Sequence, residues 1–193
     1  MQKFYTSDAH FYHANIIKYA SRKFSSTREM HDNLIENWNS IVYNDDIVYV
    51  LGDMFMLGKG NKPFSLAINI LSQLCGNIRI LPGNHDKNFW SWMLNNQPDY
   101  LFKSNITIQS DIHEDIITIN NKEYPLIMCH YPLLSWNKKA HGSIHIHGHV
   151  HSNIKSEESE RKRIHIGVDA WNMKPVSEKM LVEYICNKDG VWL

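Results

Sequence analysis

The chain has 193 residues, of which 43% are hydrophobic, with six Trp, nine Tyr and seven Phe. That suits one domain with a two-layer core, globular rather than disordered. Twenty basic residues balance twenty acidic ones, which argues against a broad electrostatic grip on long nucleic acid. No apolar run approaches the ~18 residues of a membrane span, and the N-terminus lacks the charged-then-apolar order of a secretory signal. The three cysteines, Cys75, Cys129 and Cys186, form no CxxC pair. They read as reduced, buried thiols of a cytoplasmic protein rather than a disulfide framework or zinc knuckle.

In chain order, Lys3 to Ser7 predicts a first strand, and His13 to Ala20 a short helix. Ser26 and Glu29 have capping-box spacing, and Met30, Leu34, Trp38 and Ile41 recur at helical intervals, predicting a helix over 27–42. After the Asn44-Asp45-Asp46 turn, Ile47 to Leu51 is an unbroken apolar run, as in a strand covered on both faces. Pro63 opens a second helix over 63–75, with Leu66, Ile70, Leu71 and Leu74 on one side and Gly76 beyond its end. Ile78 to Leu81 is the next strand, stopped by Pro82-Gly83-Asn84, and Lys87 to Leu94 a third helix carrying Phe89, Trp90 and Met93.

Beyond Pro98 the pattern changes. Ile106–Ser110, Asp115–Ile119, Tyr124–Cys129, Ser143–Ile146, Arg163–Gly167 and Lys179–Cys186 all read as strands, with a hairpin turn at Asn120-Asn121-Lys122. Lys155 to Lys162 is a charged, solvated loop. There is no internal repeat or linker, so 1–193 reads as a single domain. A β/α first half and a mainly β second half predict two packed sheets with helices outside.

Chemistry-bearing residues gather where strand-like runs end: Asp8 and His10, Asp53, Asn84-His85-Asp86, His130, then His149 and His151. Oxygen and imidazole ligands collected at several strand ends are what a two-metal hydrolytic centre needs, with the cations ~3.5–4 Å apart. Asp8 and His10, two apart on an extended strand end, point the same way. Asp53 has the two oxygens a bridging ligand requires. His149 and His151 serve one metal, or one each if the loop bends after Gly148. Asn84 supplies a neutral oxygen and His130 a further imidazole.

Mixed nitrogen and oxygen ligation suits manganese, iron, zinc or nickel and is too nitrogen-rich for magnesium or calcium alone. Two such cations would lower the pKa of a bridging water and make hydroxide available to attack phosphorus. His85 is the candidate general acid or electrostatic stabiliser of the leaving oxygen. Asp86 either orients its imidazole or caps the helix that follows.

Other residues have two readings each. His145 and His147 alternate with Ile144 and Ile146 as a polar strand face, or support metal ligands from behind. His13 and Asn15 reach the substrate or simply start a helix. The loop carrying Trp136, Lys138, Lys139 and His141 lies between two ligand groups and is placed to shape a substrate pocket. Asp169 and Asn172 follow a strand and approach the site. Trp38, Trp90 and Trp92 read as core.

The order Asp-x-His, Gly-Asp, Gly-Asn-His-Asp, His, Gly-His-x-His, running from Asp8 to His151, resembles the calcineurin-like metallophosphoesterases. The similarity is greatest to small, single-domain bacterial and phage members, which share a stretch like Cys129-His130-Tyr131-Pro132-Leu133. The resemblance implies a four-layer αββα sandwich, an α/β fold of two mixed sheets flanked by helices. It implies one divalent cation on Asp8, His10, Asp53 and His151 and a second on Asp53, Asn84, His130 and His149, with His85, paired with Asp86, beside the substrate phosphate.

Many relatives follow Gly-Asp with a second Asp and then Arg-Gly. Here Asp53 is followed by Met54-Phe55-Met56-Leu57, so a phosphate-gripping arginine is missing there and phosphoprotein substrates are disfavoured. The expectation is a manganese-dependent phosphoesterase, diester over monoester, acting on a small nucleotide-like phosphorylated substrate. A scaffold protein on the same fold and a nuclease are the alternatives. No membrane partner is expected, and an exposed strand edge in the second half permits a homodimer.

Overall fold

The computed structural model describes residues 1–57, 61–157 and 161–188. Its first sheet contains β1 (Lys3–Thr6), β2 (Ile47–Leu51), β3 (Asn77–Leu81), β4 (Ile106–Ile108) and β9 (Val176–Ser177), in the order β4-β3-β2-β1-β9. β1 to β4 are parallel, and β9 runs antiparallel beside β1. The second sheet contains β5 (Ile112–Ile119), β6 (Lys122–Cys129), β7 (Ile144–His147) and β8 (Arg163–His165), in sequence order. β6, β7 and β8 are parallel and β5 is antiparallel to β6. Two mixed sheets with flanking helices are the fold expected from the sequence.

Burial explains the layers. All five residues of β2 are buried, as an unbroken apolar run requires of a doubly covered strand. On one face of the first sheet, Phe4, Val48, Val50, Ile78 and Ile80 pack against helices α2 (Thr27–Asn39), α3 (Asn61–Leu71) and α4 (Lys87–Asn96). On the other, Tyr5, Tyr49, Leu51 and Leu81 meet Ile117, Leu126, Met128, Ile144, Ile146 and Ile164 of the second sheet. The outer face of the second sheet is covered differently. Trp136 from the loop after β6 lies on His145, ring centroids 5.2 Å apart, while Ile112 and Ile116 remain exposed.

Several local expectations hold. Ser26 accepts the Glu29 N–H and caps α2, and Asn120 and Asn121 both take positive φ in the β5–β6 turn, as a tight hairpin demands. Trp38 and Trp90 are buried core residues, and Trp92 is half-buried against the same cluster.

Others are corrected. Lys179–Cys186 is not a strand but part of α6 (Glu178–Lys188). Its aromatic and β-branched content imitates a strand, yet the fully buried positions are Leu181 and Ile185, one helical turn apart in the inter-sheet core. Lys179 and Glu183 pair at the same spacing on the outside. The second helix begins at Asn61 and stops at Leu71, although Leu74 stays buried beyond it. The third runs on to Asn96, and an unanticipated α5 (Pro98–Lys103) starts with Pro98 at its first position, where the missing N–H has no consequence. The first helix is reduced to α1 (Ile16–Tyr19). All three thiols are free, but only Cys129 is buried. Of the charged loop expected over 155–162, residues 158–160 lie outside the described residues. No helix among the described residues is long and apolar enough to cross a membrane.

Parallel pairing has one consequence for chemistry. β1, β2, β3, β6, β7 and β8 end on the same side, and a parallel bridge between Ser7 and Gly167 joins the two sheets there. Loops after six different strands therefore meet at one place, as ligand loops do at the carboxyl ends of parallel strands.

Candidate metal centre

The loops after β1 and β2 run side by side. The Asp8 N–H donates to the Gly52 carbonyl at 3.1 Å, His10 to Asp53 at 3.1 Å and Phe11 to Met54 at 2.9 Å. This ladder brings Asp8 and His10 against Asp53. Asp8, His10, Asp53, His149 and His151 all have positive φ, between 45° and 75°. Such conformations are uncommon for residues other than glycine, and they concentrate at functional sites. Gly83 is required where it stands, because a Cβ there would collide with the Asp53 carboxylate and backbone. The approach lets the His85 N–H donate to Asp53 Oδ1 at 2.8 Å.

Two groups of ligand atoms result, each within 4.8 Å: Asp8, His10 and His151; and Asp53, His130 and His149. Asn84 joins the second, its Oδ1 3.0 Å from His130 Nε2. Asp53 Oδ2 lies 3.3 Å from His130 Nε2 and 3.7 Å from His10 Nε2, so it stands between the groups.

Hydrogen bonds on the far sides fix where the lone pairs point. His130 Nδ1 lies 2.8 Å from the Leu51 carbonyl, so it carries a proton, and Nε2 faces Asp53 and Asn84, offering a lone pair whenever the ring is neutral. His151 Nδ1 lies 3.3 Å from Asp169 Oδ2, which turns its Nε2 toward His10 Nε2, 3.1 Å away. With these rings neutral, nitrogen and oxygen lone pairs converge in each group, and a cation is what such a donor set fits.

Electrostatics in the bare protein follow from this crowding. Burial pushes the His10 ring down to about 3, against the pull of Asp8 and Asp53. Burial alone would also depress His130, but its hydrogen bond to Asp53 and the charges of Asp8 and Asp53 hold it above the ordinary histidine value. Burial raises Asp8, yet hydrogen bonds and neighbouring imidazoles outweigh it and keep the carboxylate ionised. The neutral ring at His10 and the ionised carboxylate at Asp8 are the protonation states that ligate metal.

His85 stands at the rim. Its side chain is 38% exposed, with Nε2 4.0 Å from Asp53 Oδ2 and its ring 5.4 Å from that of His10. Its expected pairing with Asp86 needs correcting. Asp86 is buried, and its oxygens accept the N–H groups of Gly83 at 2.9 Å and Met54 at 2.7 Å. Asp86 thus ties the two loops that carry Asp53 and His85 together. Nor does its side chain cap α4.

The remaining candidates separate. His13 joins the site, its Nδ1 3.2 Å from His10 Nδ1, while Asn15 is exposed at the start of α1 with no side-chain cap bond. Asp169 is held by Arg22, whose Nε donates to Oδ1 at 2.7 Å; Asn172 has positive φ in the turn that follows. His145 supports a loop rather than a metal ligand, accepting the Leu133 N–H at 3.1 Å. Trp136 lies on His145, Lys139 over Trp136 at 4.4 Å, and Asn137 on Glu114, which turns that loop onto the outer face of the second sheet.

Arg22 was invisible in the sequence reading. Its buried guanidinium also donates to the carbonyls of Asp8 at 2.7 Å and Ala9 at 2.9 Å, bracing the strained turn between two ligands. The available signal was an arginine beside Lys23 between apolar segments, a pair that by itself resembles any surface charge.

Comparison with known proteins agrees with this arrangement. The calcineurin-like phosphoesterase family matches residues 4–171. An uncharacterized protein of Methanocaldococcus jannaschii is 36% identical over 190 residues, covering 96% of this chain and 92% of the relative. The gene 66 protein of Mycobacterium phage L5 is 28% identical over 208 residues, covering 97% of each. In structure, a protein of unknown function from Aquifex aeolicus shares the fold with a TM-score of 0.64 and 24% identity, over 94% of this chain and 98% of the other. With the family matched from β1 to the turn after β8, and its divalent-metal chemistry met by two clusters of candidate ligands, the chain belongs to the calcineurin-like phosphoesterases.

Proposed function

We propose that the protein is a two-metal phosphoesterase that prefers a small, nucleotide-like phosphodiester, with manganese as the favoured cation. Asp8, His10 and His151 would hold one cation, His130, His149 and Asn84 the other, with Asp53 shared. The observation that carries this reading is the convergence of ligand atoms: His130 Nε2 faces Asp53 Oδ2 at 3.3 Å and Asn84 Oδ1 at 3.0 Å, with its Nδ1 turned to the Leu51 carbonyl. When bound, two divalent cations supply an acidified water as nucleophile and neutralise charge on the phosphoryl oxygens.

The chain's own residues would do the rest. His85, exposed at the rim, faces an incoming phosphate and is placed to protonate or stabilise the leaving oxygen. The ring of Tyr131, 5.0 Å from His130 and 4.9 Å from His149, offers an apolar surface beside the phosphate position. The diester preference is supported by the absence of an arginine after Asp53; a doubly charged monoester would gain most from one.

The test is hydrolysis of a chromogenic diester and its matching monoester by metal-stripped protein with manganese added back. Manganese-dependent cleavage favouring the diester is expected. Monoester preference would overturn the substrate class, and no turnover with cations bound would leave a scaffold on this fold.

A further inference from the structure

Three imidazoles cluster at the Asp8 group. The ring centroids of His10 and His13 are 5.1 Å apart, those of His10 and His85 5.4 Å, and those of His13 and His85 6.2 Å. His10 is buried, His13 half-buried and His85 exposed. The backbone fixes His13 where it stands. Its N–H donates to the His10 carbonyl at 3.1 Å, closing a short turn. Tyr12, inside that turn, has a φ of 68°, and its N–H donates to Nε2 of His31 on α2 at 2.8 Å.

The contact between His10 and His13 is nitrogen to nitrogen, Nδ1 to Nδ1 at 3.2 Å. One of the two must hold the proton and the other a lone pair. His10 Nε2 is turned to the ligand cluster, 3.1 Å from His151 Nε2 and 3.7 Å from Asp53 Oδ2. A neutral ring that gives its Nε2 lone pair to a cation carries its proton on Nδ1. His10 is then the donor and His13 Nδ1 the acceptor. The single proton of His13 is left on Nε2, which has no hydrogen-bond partner among the described residues. A carboxylate or carbonyl in this place would brace His10 and end there. An imidazole braces His10 and presents a donor on its other side.

A phosphoryl group held at this place needs such donors. No arginine follows Asp53. Arg22 is buried, with its guanidinium committed to Asp169 and to the carbonyls of Asp8 and Ala9. Two ring N–H groups that share one oxygen stand about 5–6 Å apart, and the His13 and His85 rings have the spacing to take one between them.

We propose that His13 contacts the substrate, its Nε2–H donating to a non-bridging phosphoryl oxygen while its Nδ1 braces His10. The inference rests on the phosphoesterase reading and adds to it a residue that stands in for the missing arginine.

The protein, labelled with ¹⁵N at histidine, is loaded with zinc, which is diamagnetic and suits the same ligands. Its imidazole tautomers are then read by NMR as inorganic phosphate is added. His13 should be protonated on Nε2 and not on Nδ1, and the Nε2 resonance should move as phosphate saturates. In His13→Asn the side-chain oxygen takes the place of Nδ1 and nothing takes that of Nε2. This variant should hold both cations as the parent does, bind phosphate at least about tenfold more weakly and lose turnover of the chromogenic diester by a similar factor. A His13 ring protonated on Nδ1 would overturn the inference, as would phosphate binding that His13→Asn leaves unchanged. Loss of cations from His13→Asn would reduce His13 to a brace. Parent protein that binds no phosphate would also sink the inference, and if it cleaves no diester either, the phosphoesterase reading falls with it.

Discussion

In the group built on Asp8, ligands are gripped from behind by buried polar partners. Asp8 takes the His149 N–H and the Ser7 hydroxyl, His10 meets His13, and His151 is turned by Asp169, which Arg22 holds in two places. In the group built on Asp53, His130 is fixed by the Leu51 carbonyl and Asp53 by the His85 N–H, but the Asn84 side chain reaches in from an exposed loop. The His149 ring rests against Tyr131, itself 45% exposed. The first group is pre-organised, while the second is completed by residues that solvent and substrate can reach. Outer partners of metal ligands change affinity by about 10–100-fold, so the two cations of the proposed centre would leave in sequence. A chelator titration should show two steps, the Asp53 group emptying first; a single step would break the contrast.

The largest effect comes from the residue the groups share. Asp53→Asn removes the charge between them, so cation content should fall at both positions and turnover by at least about 10³-fold. Retention of one full equivalent of metal would show that Asp53 belongs to one group alone. His85→Ala comes next, with a loss of about 10²–10⁴-fold in kcat, the usual range for a general acid, and metal content unchanged. If His85→Ala instead lost metal, the rim histidine would be a ligand and the open group better built than its exposure suggests.

Asp169→Asn acts on one side only. It leaves the shape of the site but weakens the acceptor that orients His151, and should loosen the Asp8 group by about 10–100-fold. The Asp53 group should keep its affinity, read from the second step of the same titration. Arg22→Met should loosen the same group and also lower stability by about 3–5 kcal/mol, because it strands the buried Asp169 carboxylate without its ion pair. Burial raises that carboxyl, but the His151 and Arg22 hydrogen bonds more than offset this and hold it below the usual carboxylate range.

What was legible in the sequence follows the same division. Asp8, His10, Asp53, Asn84, His130, His149 and His151 stand at the ends of apolar runs, where periodicity alone marks a strand end. The braces did not show. Arg22 and Asp169 are 147 residues apart, and a buried ion pair of that separation leaves no local pattern. Asp86 was legible as a residue but not in its role, because only the fold puts the Met54 N–H beside it. In the scaffold, β2 was plain because burial on both faces removes all alternation. α6 was misread because its buried stripe is just Leu181 and Ile185, set among Val182, Tyr184 and Cys186, which a strand would also favour.

The smallest effect is a control on the contrast between the groups. Asp115 on β5 accepts from Lys3 Nζ at 2.7 Å and from the Tyr49 hydroxyl at 3.1 Å, joining the two sheets away from the ligand-bearing strand ends. Burial raises its pKa, but Lys3, the Ile116 N–H and Tyr49 more than offset this and hold the carboxyl below its ordinary value. A depressed folded-state pKa stabilises the fold above the unfolded value near 3.9, and that contribution is lost as pH falls through the folded one. Asp115→Asn should therefore cost about 1 kcal/mol at neutral pH, measured by urea unfolding, and the gap to the parent should close below about pH 4. Both chelation steps should stay where they were. If they moved together, the unequal hold on the two cations would come from sheet packing rather than from Arg22, Asp169 and the other local braces.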